Sequence, residues 1–154
     1  MKKVLYLCLF LLSIYSCRSL IELTADARNA IARGDLESLK ALIEKGVDVN
    51  SADTEGITFL MQASLLDNDK IIKFLISKNA KTELENKRGE TALMLAMLSR
   101  RNLAIHELIV GKASIITRLK NGTSPILYAA INNLPELFTT CIKHGADIND
   151  RFKK

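Results

Sequence analysis

The chain has 154 residues, of which 48% are hydrophobic and 25% charged, a balance typical of one globular domain with a buried core. Its formal charge of +5 is spread along the chain without interleaved aromatic residues, which argues against a phosphate-binding patch, so we expect no nucleic-acid partner. Of the cysteines Cys8, Cys17 and Cys141, only Cys141 lies in the part expected to fold as a domain, so no internal disulfide framework is expected.

The N-terminal segment has the layout of a signal peptide. Met1-Lys2-Lys3 is a short basic start, and residues 4–15 form an almost continuous apolar run. A transmembrane helix needs about 20 apolar residues, so this run is short for a membrane span. The sequence therefore predicts that residues 1–16 are a signal peptide that is removed.

The residues that follow indicate a lipid anchor. Ser13-Ile14-Tyr15-Ser16-Cys17 resembles the lipobox of bacterial lipoproteins, in which a small residue precedes a cysteine that is acylated, although Tyr15 stands where the family favours a small residue. The resemblance implies lipidation at Cys17, a short tether over residues 17–23, and a place in the cell envelope on a membrane facing the periplasm or the exterior. Two alternatives stay open: a secreted or periplasmic soluble protein, and an uncleaved leader that tethers the domain.

A period of 33 residues runs through the rest of the chain. Three of the four units begin with a glycine turn, and all four carry an alanine in the first helix-like stretch and an apolar pair in the second. The glycines are Gly56, Gly89 and Gly122. The alanines are Ala30, Ala63, Ala96 and Ala129. The pairs are Leu42-Ile43, Leu75-Ile76, Leu108-Ile109 and Cys141-Ile142.

These blocks resemble the ankyrin repeat, which opens with Gly-x-Thr-Pro-Leu and closes with Gly-Ala-Asp-x-Asn, as residues 145–149 do. The resemblance covers residues 24–150 and implies an all-α ankyrin-repeat solenoid of about four helix-turn-helix repeats with short hairpin loops. The expected repeats are residues 24–50, 51–83, 84–116 and 117–150, and a basic tail follows at 151–154. Where the family usually has a histidine this chain has Met61, Met94 and Leu127, which predicts weaker hydrogen bonding between neighbouring turns.

Local signals support the same division into repeats. Thr58, Thr91 and Ser124 precede apolar runs and are predicted to cap the first helices, and Pro135 is predicted in the first turn of a second helix. The first repeat lacks the glycine turn and has scattered polar residues, as suits a capping unit. These residues are Arg28, Asn29, Arg33, Glu37 and Lys40.

The sequence contains no recognisable catalytic or metal-binding constellation. His106 and His144 each stand without a cysteine or carboxylate at metal-ligand spacing, and both are predicted to lie near helix ends at the surface. Cys141 occupies the place of an aliphatic residue in the other repeats, which favours a buried thiol over a nucleophile. We therefore expect no enzyme activity, no metal and no cofactor.

The ankyrin resemblance implies a partner-binding concave surface made of hairpin tips and exposed positions of the first helices. The tip residues are Thr54, Glu55, Ile57, Lys87, Arg88, Glu90, Lys120, Asn121 and Thr123. The helix positions are Leu65, Leu66, Leu98, Ser99, Ile131 and Asn132. Leu65, Leu98 and Ile131 recur at the period and either form an exposed apolar stripe or fold inward as core. Lys87, Arg88, Arg100 and Arg101 form a basic cluster, which is either a solvated face or a site for an acidic partner or a lipid headgroup.

Two hypotheses for function follow. The first is a membrane-tethered, extracytoplasmic protein-protein interaction module, an adaptor or protector of an envelope protein that binds a protein partner close to the membrane. The alternative is a self-associating structural or assembly component of the cell envelope. Concentration-dependent self-association would favour the alternative, and a stoichiometric co-purifying protein would favour the first.

Overall fold

The computed structural model describes residues 20–150, which fold into four helix pairs, one pair per repeat. Helix α1 occupies residues 20–33 of the described chain. The other helices are α2 (Leu36–Glu44), α3 (Phe59–Leu65), α4 (Asp69–Ser77), α5 (Ala92–Leu98), α6 (Asn102–Val110), α7 (Pro125–Ile131) and α8 (Pro135–Lys143). The predicted all-α solenoid of helix-turn-helix repeats is confirmed.

Several predicted segments lie partly or wholly outside residues 20–150. The predicted signal peptide, Cys17 and the basic tail at 151–154 lie outside the described residues. Of the predicted tether, residues 20–23 belong to helix α1, so helical structure begins before residue 24, where the repeat pattern placed the domain start. Leu23 packs against the core, which explains why this turn is helical.

The first helices of repeats 2 to 4 begin at the predicted caps. In each, the cap's side-chain oxygen accepts the backbone N–H of the residue three positions further on, at 3.2 to 3.4 Å. The caps are Thr58, Thr91 and Ser124. At the first of them the sulfur of Met61 also accepts the Thr58 N–H at 3.4 Å, so a methionine in the usual histidine position completes a reciprocal cap.

The second helices begin in three different ways. Asp35 and Asn68 cap α2 and α4, and their side-chain oxygens accept first-turn N–H groups at 3.0 and 3.1 Å. Helix α6 has no side-chain cap from its own N-cap residue; instead Asp67, from the preceding repeat, accepts the Ala104 N–H at 2.8 Å. Helix α8 begins with Pro135 at a first-turn position, as predicted, where a missing N–H costs little.

The core lies between the helices and continues from repeat to repeat. The periodic alanines Ala30, Ala63, Ala96 and Ala129 have no exposed surface, as expected where two helices approach closely. Neighbouring repeats are also joined by polar contacts: Asn50 Oδ1 accepts the Lys81 N–H at 2.8 Å, and Glu83 Oε1 accepts the Ser114 N–H at 2.9 Å. Each repeat therefore buries its apolar side against the next.

Arg28 plays a different part from the one its polarity suggested. Instead of facing solvent as part of a polar cap, its guanidinium is half-buried and donates to the carbonyls of Ile57 at 2.8 Å and Ser51 at 3.3 Å. It also lies over the Phe59 ring, 5.1 Å from the centroid, and 3.9 Å from the Asp53 carboxylate. Burial lowers the pKa of Arg28, and Asp53 opposes that shift. Arg28 thus fastens the first hairpin to helix α1.

Candidate protein-binding surface

Three hairpins precede the first helices of repeats 2 to 4, and each is closed by a main-chain hydrogen bond of 3.0 to 3.1 Å between residues four apart. In the first two, a side-chain oxygen of Asp53 or Asn86 accepts two N–H groups of the turn at 2.8 to 3.0 Å. The third has Leu119 at the equivalent position, and its turn uses Asn121, which accepts the Thr123 N–H at 3.1 Å. The hairpin glycines have positive φ, from 72° to 82°, which only glycine adopts without strain.

The first two hairpin tips are joined to each other. The Glu55 carbonyl accepts the Lys87 N–H at 3.0 Å, and the side chains of the same residues form an ion pair at 3.5 Å. A Cβ at Gly56 would come within 3.0 Å of the Asn86 Cα, so this glycine is also required by the close approach of the two loops. The tips of repeats 2 and 3 therefore make one continuous edge.

The structure separates the predicted tip residues by exposure. Ile57 and Glu90 are half-buried, and the remaining tips except Thr123 are exposed. Thr123 is 6% exposed, so its assignment to the exposed tip is wrong. Its side chain lies just before the Ser124 cap, where the hairpin turns inward toward α7.

The predicted apolar stripe is part surface and part core. Leu98 is 56% exposed and Ile131 is 60% exposed, so these two lie at the surface of the first helices. Leu65 is half-buried and packs against the core, so the interpretation as core holds for this position alone. The neighbouring Leu66, at the C-terminal cap of α3, is exposed and extends the apolar surface at that end.

A groove of about 390 Å³ lies between the second and third hairpin tips and helix α5. It brings together the predicted residues Glu90, Leu98, Lys120 and Asn121. Its wall also includes Gly89, Met94, Arg118 and Leu119, which were not predicted as site residues. The alignment of the repeats contains a difference that could have indicated this wall, because Leu119 stands where the other hairpins have Asp53 and Asn86.

The basic cluster is largely compensated by carboxylates or dispersed. Lys87 pairs with Glu55, and the Arg88 guanidinium lies 2.9 Å from the Glu90 carboxylate. Arg100 lies in the turn between α5 and α6 in the left-handed conformation, with φ of 55°. At the third hairpin Arg118 donates to the Gly122 carbonyl at 2.9 Å and pairs with Asp150. The arrangement matches an ordinary mixed surface better than a dedicated anion site.

The described residues do not assemble catalytic chemistry. Cys141 is fully buried, and burial raises the pKa of its thiol to about 11, which disfavours the reactive thiolate. His106 lies in the middle of α6, with Nδ1 3.0 Å from a Glu107 oxygen, so its predicted place near a helix end is wrong. His144 caps the C-terminus of α8, as expected for a residue near a helix end.

Residues 20–150 also contain neither a cluster of metal ligands nor a helix suited to span a membrane. The structure places no three His, Cys, Asp or Glu side chains of this range where they could share a metal ion. In the same range no helix combines the length and the apolar character needed to cross a membrane. What the surface does offer is an apolar groove with polar tips, a form suited to contact with another macromolecule.

Comparisons with known proteins agree with this geometry. A family model described as ankyrin repeats (three copies) matches residues 27–118, more than half of the chain. The chain therefore belongs to the ankyrin-repeat family, whose members are generally interaction modules rather than enzymes. The fourth helix pair, α7 and α8, follows the matched segment and continues its 33-residue period.

Among curated proteins, the chain is 40% identical over 70 residues to ankyrin repeat and SAM domain-containing protein 6 of Rattus norvegicus, covering 45% of this chain and 8% of that protein. It is 29% identical over 123 residues to an L-asparaginase of Dirofilaria immitis, covering 79% of this chain and 21% of that protein. The chain thus spans a minor part of these relatives, and the activity in the second name stays with that protein.

One solved structure combines similarity of fold and of sequence. It is a complex of the predatory endopeptidase Bd0816 from Bdellovibrio bacteriovorus with the immunity protein Bd3460. A chain of that complex matches with a TM-score of 0.67 and 33% identity, covering 77% of this chain and 63% of that chain. The match places a related fold in a protein-protein complex.

Proposed function

We propose that this chain is a membrane-tethered, extracytoplasmic protein-binding module that acts as an adaptor or protector of an envelope protein. The observation that carries the proposal is the groove between the second and third hairpin tips, where exposed Leu98 lies beside the polar residues Lys120 and Asn121. Contiguous exposed apolar surface with a polar rim is typical of protein interaction sites.

The peptidase–immunity complex supports the protecting role in particular. A protein that protects its partner by binding needs shape and charge complementarity to it and no catalytic residues. The tips of repeats 2 and 3 suit such a task, because Asp53, Asn86 and the Glu55–Lys87 bond hold them in one conformation. A loop that is already ordered loses less conformational entropy when it binds.

The position of Cys17 supports the tethered form of the proposal. Helix α1 is described from residue 20, three positions beyond Cys17, so an acylated cysteine would hold the domain close to the lipid surface. A single acyl chain gives only marginal membrane binding, whereas several chains give stable anchoring. A partner would then have to be another component of the envelope or a protein that reaches it.

Affinity capture tests the binding surface. The full chain, extracted from membranes with a C-terminal tag, is compared with the double variant Leu98→Ser/Ile131→Ser and with the control Leu103→Ser/Val110→Ser, whose positions on α6 are 58% and 48% exposed. We expect one stoichiometric protein with the wild type and the control and its loss from the Leu98/Ile131 variant. If all three forms retain that protein and their circular dichroism is unchanged, the assignment of the binding surface to Leu98 and Ile131 is contradicted.

Metabolic labelling tests the anchor separately. With radioactive palmitate, the wild type and a Cys8→Ala control should be labelled and should sediment with membranes, whereas Cys17→Ala should lose both properties. Equal labelling or equal membrane association of the Cys17→Ala and Cys8→Ala variants would refute acylation at Cys17. Cys8 lies nine residues before Cys17 and outside the lipobox-like segment, which makes it a suitable control.

A further inference from the structure

Helix α6 exposes two apolar side chains on its outer face. Leu103 is 58% exposed and Val110 is 48% exposed. They are seven residues apart, which places them on the same side of the helix about two turns from one another. Between them on the same helix lies half-buried His106. These three residues form a strip along the outer face of α6, with an exposed apolar side chain at each end and His106 between them.

The repeat architecture does not require this strip. The residues equivalent to Leu103 in the other repeats are Glu37, Lys70 and Glu136. The residues equivalent to Val110 are Glu44, Ser77 and Lys143. The inner side of α6 is also apolar, with Ala104, Ile105, Leu108 and Ile109 in the core. Helix α6 therefore presents apolar residues to the core and, at Leu103 and Val110, to its outer side. This distribution is that of a helix that other elements cover on both sides.

Beside Leu103 a groove of about 570 Å³ runs between α6 and α8, with Leu134, Pro135 and Leu137 in its lining. Its charges on the α4 side satisfy one another, since Lys73 Nζ lies 3.3 Å from an Asp69 oxygen and 3.5 Å from a Glu107 oxygen. The groove can therefore accept an apolar side chain next to Leu103 without leaving this internal charge network unpaired.

Helix α8 adds opposite charges at the two ends of the strip. Equivalent residues of adjacent repeats lie side by side, so Glu136 flanks Leu103 and Lys143 flanks Val110. Both side chains are exposed. If two such faces meet with their helices antiparallel, Leu103 lies opposite Val110, and Glu136 lies opposite Lys143, in each half of the interface. The two apolar positions and the two charges of this face are thus complementary to themselves across a twofold axis.

We propose that the outer face of α6 and α8 binds a second copy of this chain around a twofold axis perpendicular to α6. Each copy then inserts Val110 beside Leu103 of the other, and two Glu136–Lys143 pairs border the apolar contact. Such an isologous interface is the commonest form of homodimer. It uses residues distinct from Leu98 and Ile131, so dimer formation does not depend on the proposed partner-binding groove.

Sedimentation equilibrium of the full chain in density-matched detergent micelles tests the proposal, since every variant carries the same N-terminal segment. We expect twice the protomer mass for the wild type and for Leu98→Glu, a control that is also about half exposed, at 56%. Leu103→Glu should weaken the dimer by about tenfold or more, because it desolvates a charge within the apolar contact. The fold should tolerate it, since Glu37 and Glu136 occupy the equivalent positions.

A charge exchange then tests the antiparallel arrangement. Glu136→Lys alone should weaken association several-fold, because it places two lysines opposite each other, and the double variant Glu136→Lys/Lys143→Glu should restore it. A monomeric wild type overturns the proposal, as does equal association of Leu103→Glu and Leu98→Glu. A dimer that the double variant fails to restore overturns the antiparallel pairing. The capture of a partner through Leu98 and Ile131 does not depend on any of these results, so the two proposals can fail separately.

Discussion

Removing the Arg28 side chain should destabilise the protein and loosen its first hairpin. The strongest contact is the 2.8 Å bond to the Ile57 carbonyl, and a hydrogen bond from a charged donor contributes about 1.5–3 kcal/mol. The guanidinium over Phe59 adds about 0.5–1 kcal/mol. The bonds of 3.3 and 3.4 Å to Ser51 and Gln62 are long and count for little more. We therefore expect Arg28→Ala to lower the free energy of unfolding by about 2–4 kcal/mol.

Urea unfolding followed by circular dichroism measures this effect, with Arg33→Ala as the control, because Arg33 is an exposed arginine of the same helix. Arg28→Lys should cost about half as much as Arg28→Ala, since an ammonium can reach one carbonyl but lacks the planar fork. Hydrogen exchange should accelerate at the amides of residues 51–58 in Arg28→Ala and stay unchanged in Arg33→Ala. A loss below about 0.5 kcal/mol, or equal losses for the two alanine variants, would refute the role of Arg28.

Three further predictions concern separate contacts. Asp67→Ala should cost about 1 kcal/mol in urea unfolding because it removes the acceptor of the Ala104 N–H, whereas Asp67→Asn, which keeps an oxygen, should cost less than half of that; equal losses would contradict the capping role. Lys112→Gly should raise the free energy of unfolding by about 0.5–1 kcal/mol, because Lys112 has φ of 67°; a loss of stability would show that this strain is absent. Cys141 should resist iodoacetamide at pH 8.5 in the folded protein and react after unfolding, with Cys141→Ser as the blank, and the stability due to its protonated thiol should be complete below pH 9 and be lost as the pH rises toward 11; rapid alkylation of the folded protein would contradict its burial.

The features that were predictable from the sequence are those that the repeat imposes locally. A threonine or serine before an apolar run is a cap wherever it occurs, so Thr58, Thr91 and Ser124 could be assigned from spacing alone. The turn glycines follow from the need for positive φ, and the periodic alanines follow from close helix packing. These constraints act within one repeat or between equivalent positions of neighbouring repeats.

The features that were missed depend on contacts between different positions of neighbouring repeats. Arg28 looks like a polar surface residue until the carbonyls of the next hairpin are placed around it. Leu65 and Leu98 share one register position, yet only Leu98 is exposed, because exposure depends on how the surrounding elements pack. The groove at Leu119 arises where the third hairpin lacks the turn-holding Asp or Asn of the other two, a difference that the periodic alignment contains but whose consequence is three-dimensional.

Photo-crosslinking in living cells tests directly whether the groove beside Leu98 binds a different protein. A photoreactive phenylalanine analogue is introduced at Leu98 in one strain and at Leu103 in another, and adducts are separated by mass and identified by mass spectrometry. We expect the analogue at Leu98 to capture one distinct envelope protein and the analogue at Leu103 to capture a second copy of this chain. Absence of any foreign protein at Leu98, or capture of the same foreign protein with equal yield from both positions, would contradict it.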